Sequence, residues 1–195
     1  AFAPQPATGL EVQTLNANFE VIVPAITNRG GVVDKFLGDA VVAIFRGEDH
    51  VTRALEASLD LRIQLRTLAL RAGEDSPFGL GVAIGVATGE MLSGEVGSKA
   101  FGRLDYTVLG EVPRAAAVLQ AAAGRNKILI DRATFERAAG FRCAPVSAAV
   151  SGEIEAFELQ RRAGHDAART GDGADPARPL EEQTHVFVRP TGQGG

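Results

Sequence analysis

Apolar residues along this chain recur with two different periods. Leu15, Phe19, Ile22 and Ile26 fall three or four residues apart, which places them on one face of a helix. Thr8 and Glu11 just before them have the spacing of a capping box. This helix is predicted to kink or end near Pro24 and to close over Asn28-Arg29-Gly30-Gly31. Val32–Leu37 and Ala40–Phe45 are short apolar runs separated by Gly38-Asp39, a turn pair, and predict a tight β-hairpin. Val51, Ala54, Leu55, Leu59 and Ile63 mark a second amphipathic helix, with Leu61, Leu65 and Leu68 widening its apolar face.

Leu80–Ala87 predicts a buried strand, and Gly89–Gly102 an extended hairpin leading into Leu104–Leu109. Pro113 suits a helix start and Gly124 a helix end, so Pro113–Ala123 is predicted as a third helix. A strand at Lys127–Asp131, a short helix at Ala133–Ala139 and strands at Phe141–Val146 and Ile154–Gln160 complete the pattern. Residues 163–179 are Gly, Ala, Asp, Arg and Pro with almost no large side chain, too little apolar surface to offset ordering. The predicted organisation is one domain over residues 1–160 and a flexible tail over 161–195, with an isolated short strand at 184–189.

Composition narrows the function classes. The chain has 195 residues and a formal net charge of −4, so no global basic field favours nucleic acid or an anionic membrane. The longest apolar runs are far too short to span a bilayer. Cys143 is the only cysteine, which excludes an intrachain disulfide and suggests a reducing, cytoplasmic setting. His50, His165 and His185 lack metal-ligand spacing and receive no role.

Helix, hairpin, helix and strand make most of a ferredoxin-like βαββαβ unit, an α/β sandwich fold shared by unrelated functions. Three stretches are more specific: GGVVDKFLGDAVVAIF at Gly30–Phe45, GVATGEMLSGEVGS at Gly85–Ser98, and DYTVLG at Asp105–Gly110. In this order and spacing they resemble the catalytic domain of class III adenylyl and guanylyl cyclases, from about Leu10 to Leu159. The resemblance implies a dimer with ATP or GTP lying across the interface. Two carboxylates of one subunit would hold Mg²⁺ or Mn²⁺, and the other subunit would read the base. Asp39 matches the second metal carboxylate, Lys35 the base-reading lysine of adenylyl cyclases, and Thr107 the second base-reading position. That pair implies ATP, converted to cyclic AMP and pyrophosphate if the domain is active.

The chain departs from the family in ways that matter. The family's first strand, with its first metal carboxylate, falls upstream of Ala1; a sheet without that central strand would expose its neighbours' edges, so the domain is expected to be N-terminally truncated here. Arg114 and Val118 stand where the resemblance implies a ribose-orienting Asn and a phosphate-binding Arg. The turn at Val150–Glu153 carries Glu153 where a phosphate-binding Lys is expected. Losing one preorganised transition-state donor costs on the order of 100- to 1000-fold in rate. Beside an active cyclase, two alternatives therefore stand: a degenerate domain acting by nucleotide binding, dimerisation or regulation, or one subunit of a heterodimer that keeps metal duty through Asp39. Diguanylate cyclases share the topology, but Leu37-Gly38-Asp39-Ala40-Val41 lacks their hairpin motif.

Overall fold

The computed structural model describes residues 9–72, 81–98, 102–147, 149–163 and 182–190. The elements in chain order are α1 (Gly9–Thr27), β1 (Val32–Leu37), β2 (Ala40–Phe45), α2 (His50–Ala72), β3 (Val82–Glu90), β4 (Leu92–Ser98) and β5 (Arg103–Leu109). They continue with α3 (Glu111–Ala122), β6 (Lys127–Asp131), α4 (Arg132–Glu136), β7 (Phe141–Pro145), β8 (Ala156–Arg162) and β9 (Glu182–Pro190). Seven strands form one sheet in the order β1-β2-β9-β3-β6-β8-β7, while β4 and β5 pair separately.

The hairpin follows its sequence signals. Gly38 supplies φ 62° at the turn, a left-handed conformation that a side chain disfavours. All six residues of β2 are buried, whereas β1 is the more exposed edge. Pro24 does not end α1, which continues to Thr27 and is closed when the Gly31 N–H donates to the Ile26 carbonyl at 3.0 Å. Thr8, the first member of the expected capping box, lies outside the described residues. The extended hairpin has different arms from those expected: β4 pairs with β5 from Leu92↔Leu109 to Ser98↔Arg103, and Glu90 still belongs to β3.

The central gap expected of the sheet is filled. β9 lies antiparallel between β2 and β3, pairing Val41↔Val188 on one side and Ile84↔Val188 on the other. It is neither isolated nor short, because both its edges are hydrogen-bonded and Val186 and Val188 are fully buried. Burying two valines is worth about 3–6 kcal/mol, a gain that 17 residues of low-hydrophobicity sequence could not reveal. In space β9-α1-β1-β2-α2-β3 completes the ferredoxin-like unit, with its leading strand coming last in the chain.

One face of the sheet packs α1 and α2 through Ile22, Ile26, Leu55 and Leu61 against Val41, Ile84, Ile130 and Val186. The other face carries α3, with Ala116 and Leu119 against Ala87, Leu129 and Phe187. Gly85 permits this close approach, since a Cβ there would sit 2.1 Å from the Ala116 carbonyl oxygen. α3 therefore lies directly over the strands that bear the site. No described helix is long and apolar enough to cross a membrane.

Candidate functional site

The site is assembled on the α3 side of the sheet from β1, β5, β9 and the N-terminal half of α3. The register of β1 against β2 skips between Val33 and Lys35, so Asp34 is an extra residue with no partner of its own. In a regular strand, successive side chains point to opposite faces; a bulge re-aims one of them. Asp34 and Lys35 consequently line the same cavity, of about 230 Å³, together with Val108, Pro113, His185 and Phe187.

Lys35 Nζ donates a hydrogen bond to Thr107 Oγ1 on β5. The two residues assigned to base reading, 72 positions apart, are thus brought together, with Lys35 lining the cavity and Thr107 bonded to it. Lys35 also lies 3.2 Å from Asp34 Oδ2, an ion pair by distance. The pair lacks hydrogen-bond geometry, so Oδ2 accepts no hydrogen bond from any described residue although the Asp34 side chain is 5% exposed. His185 is 1% exposed, and neither ring nitrogen has a hydrogen-bond partner among the described residues. Burial pushes its pKa down to about 4, with Asp34 opposing that shift and Lys35 and Arg46 adding to it. At neutral pH the ring is therefore uncharged, with one nitrogen a donor and the other an acceptor.

Asp39, at the hairpin turn, meets a different partner. Arg189 Nε lies 3.0 and 2.9 Å from the two carboxylate oxygens, and this contact raises the pKa of the guanidinium. Arg189 lies near the end of β9, at the edge of the site where the family's first strand would bring a second carboxylate. The resemblance implies a divalent metal held by Asp39. Here the donor set does not suit one: a guanidinium already occupies both oxygens of Asp39, and a cation beside it would be repelled. Among the described residues no three His, Cys, Asp or Glu side chains come together as a metal-binding group.

Arg114, Val118 and the 150–153 turn are also neighbours, as their family positions imply. Val118, Ala121, Ala122, Val150 and Ser151 line a groove of about 490 Å³ without a charged side chain. The larger hollow therefore offers a phosphate no charged side chain among its lining residues. Arg114 sits at its margin but is committed to carboxylates, with Glu111 at 2.8 Å and Glu153 at 3.6 Å. Glu153 stands where a cation was expected and pairs with Arg114.

Sequence reasoning missed Asp34, His185 and Arg189. The two on β9 were set aside because the strand follows a stretch of tail-like composition. Asp34 had a faint signal: a carboxylate beside Lys35 in a strand otherwise built of apolar residues.

The model of the adenylate and guanylate cyclase catalytic domain matches residues 7–158. The chain is 36% identical over 115 residues to the uncharacterized protein Rv1319c of Mycobacterium tuberculosis, covering 59% of this chain and 20% of that protein. It is 30% identical over 128 residues to the terminal-differentiation specific adenylate cyclase of Dictyostelium discoideum, covering 64% of this chain and 6% of that protein. The chain thus spans about a fifth or less of the length of these relatives. Its structure matches that of a bacterial light-regulated adenylyl cyclase with a TM-score of 0.69 at 25% identity, over 83% of this chain and 47% of the other.

Proposed function

The chain belongs to the adenylate and guanylate cyclase catalytic domain family, and from that premise we propose that it is an adenine-nucleotide-binding cyclase domain whose homodimer makes little or no cyclic AMP. The observation that carries this reading is the contrast at one site between the paired Lys35 and Thr107 and the neutralised Arg114. A lysine donor facing the cavity suits the ring acceptors of adenine. At the other end Arg114 and Arg189 are each held by carboxylates, and the residues described along the groove beside Val118 carry no charged side chain. Transition-state charge would be left to water, and residues of one catalytic constellation act as a unit.

In this reading Lys35 and Thr107 orient the base, and α3 closes the cavity over it through Pro113 and Ala117. Asp39 serves as a metal carboxylate only in a state where Arg189 has left it. Two copies associate through the β1–β2 and β4–β5 hairpins, where Phe36, Leu37, Leu92 and Leu109 are each about half exposed or more. Such large apolar side chains on adjoining hairpins suit an interface. The second reading, a heterodimer in which this chain supplies the metal site through Asp39, is weakened by the Asp39–Arg189 pair.

Calorimetry with ATP and GTP tests selectivity: ATP is expected to bind more tightly, and Lys35→Glu to reduce that preference. Tighter GTP binding by the unmodified chain would overturn the base assignment. A product assay with Mn²⁺ tests activity, with robust cyclic AMP formation by the unmodified chain as the opposing result. The double change Arg114→Asn with Val118→Arg is expected to recover activity only when Arg189 is also replaced, since Arg189 otherwise keeps Asp39 from metal. Sedimentation is expected to show a dimer at micromolar concentration, which Leu92→Glu with Leu109→Glu converts to monomer.

A further inference from the structure

We propose that Asp34 and His185 are base-reading residues, which together with Lys35 make the 230 Å³ cavity a receptor for a neutral heterocycle presenting adjacent hydrogen-bond donor and acceptor atoms. The inference rests on the adenine-nucleotide reading and deepens it, since nothing in the family resemblance assigns a role to either residue. Its basis is the hydrogen-bond inventory of the cavity wall. Buried polar atoms in folded proteins are almost always paired, and each exception calls for a cause. Here Asp34 Oδ2, although ion-paired with Lys35, accepts no hydrogen bond, both nitrogens of His185 lack one among the described residues, and both residues line one cavity. Three buried atoms with hydrogen-bonding capacity left over at one wall point to a ligand.

The chemistry of the wall defines that ligand. Asp34 Oδ2 accepts, Lys35 Nζ donates, and the uncharged His185 ring does one of each. Lys35 and Asp34 are 3.2 Å apart, so a ligand that meets both must carry a donor and an acceptor on neighbouring atoms. The amine and adjacent ring nitrogen of adenine have that arrangement. The partly apolar lining of Val108, Pro113 and Phe187 suits the faces of a flat ring. A second anion in the cavity would face the carboxylate of Asp34, so the phosphates belong outside it.

Two devices of the fold put these atoms in place. The bulge at Asp34 turns its carboxylate to the same side as Lys35. β9 presents His185 and Phe187 on that side, two residues apart, while Val186 and Val188 enter the opposite core. A histidine that merely filled space would leave two polar atoms unmet, where an apolar side chain of similar size would leave none. The cost is the mark of a retained function.

The test uses the full chain with adenosine, ATP and inorganic triphosphate as probes, so that base and phosphate contributions separate. His185→Val is expected to weaken adenosine and ATP by the same factor, about three- to tenfold for a lost neutral hydrogen bond. Triphosphate binding should not change. His185→Gln, which keeps a donor and an acceptor, should recover part of the loss. Should His185→Val fail to fold, ring-nitrogen resonances of His185 in the unmodified chain provide the same answer, since saturation with adenosine must shift them. Unchanged adenosine affinity in a folded His185→Val, or unmoved ring resonances, would overturn the proposal and leave the Lys35–Thr107 reading standing. No adenosine binding by the unmodified chain would overturn both.

Discussion

The two ends of the site use their charges differently. At the base end, Lys35 and Asp34 approach each other and a hydroxyl, yet acceptor and donor capacity remains on a largely buried wall. At the phosphate end, the charges that remain are paired with one another on the surface: Arg114 with Glu111 and Glu153, and Arg189 with Asp39. A site keeps its affinity for a ligand where polar groups are left wanting partners, and loses it where those groups satisfy each other. By that criterion, the proposed site has a receptive half and a closed half, and the difference arises from a handful of side chains.

The sharpest way to break the comparison is to remove the strand common to both halves. Ending the chain after Ala163 takes away His185 and Arg189 together and exposes the edges of β2 and β3. Such a chain is expected to lose cooperative thermal unfolding altogether, as followed by circular dichroism. A sharp melting transition in the shortened chain would show that β9 is accessory.

A smaller effect separates the base end by its response to acid. The His185 pKa of about 4 lies below the ordinary 6.5, so between these values the unfolded chain binds more protons than the folded one. Stability contributed by keeping the ring neutral is complete above about pH 6.5 and lost as pH falls through about 4, roughly 3 kcal/mol in all. Asp131, whose pKa burial raises, works in the opposite direction. Comparing unfolding curves of the unmodified chain and His185→Val across pH 4–7 isolates the histidine. The variant should have the flatter profile, and parallel profiles would mean that the ring is not buried neutral.

The smallest effect concerns the closed half. Arg189→Asp replaces the guanidinium beside Asp39 with a second carboxylate, and Mn²⁺ binding measured by electron paramagnetic resonance should strengthen about tenfold. Arg189 is half exposed, and screening keeps the gain modest. Equal Mn²⁺ affinity in both chains would show that Arg189 is not what keeps a cation from Asp39.

How much of this was legible in the sequence varied with the locality of the signal. The β1–β2 hairpin was readable because turn and arms are contiguous, and Lys35, Asp39 and Thr107 stood out as candidates because they sit in contiguous motifs. α3 was readable to within two residues at its start. The destination of β9 was not, because strand pairing between residue 41 and residue 188 leaves no local trace. Nor was the bulge, since an extra residue shows only when the partner strand is known. Arg114 was read as out of place for the ribose; that it would be spent on Glu111 and Glu153 needed the distances.

The position of β9 in the sheet also sets the order in which the molecule can be made. Residues 40–45 and 82–90 emerge from synthesis long before residues 182–190, yet they reach each other only through that strand. Until it arrives, two apolar strand edges stay open to any other chain that offers a matching one. Closing so long a loop is slow compared with forming the local hairpin and helices. The nascent chain therefore spends its most association-prone interval with the cavity half built, and ligand binding becomes a report that synthesis and insertion are complete.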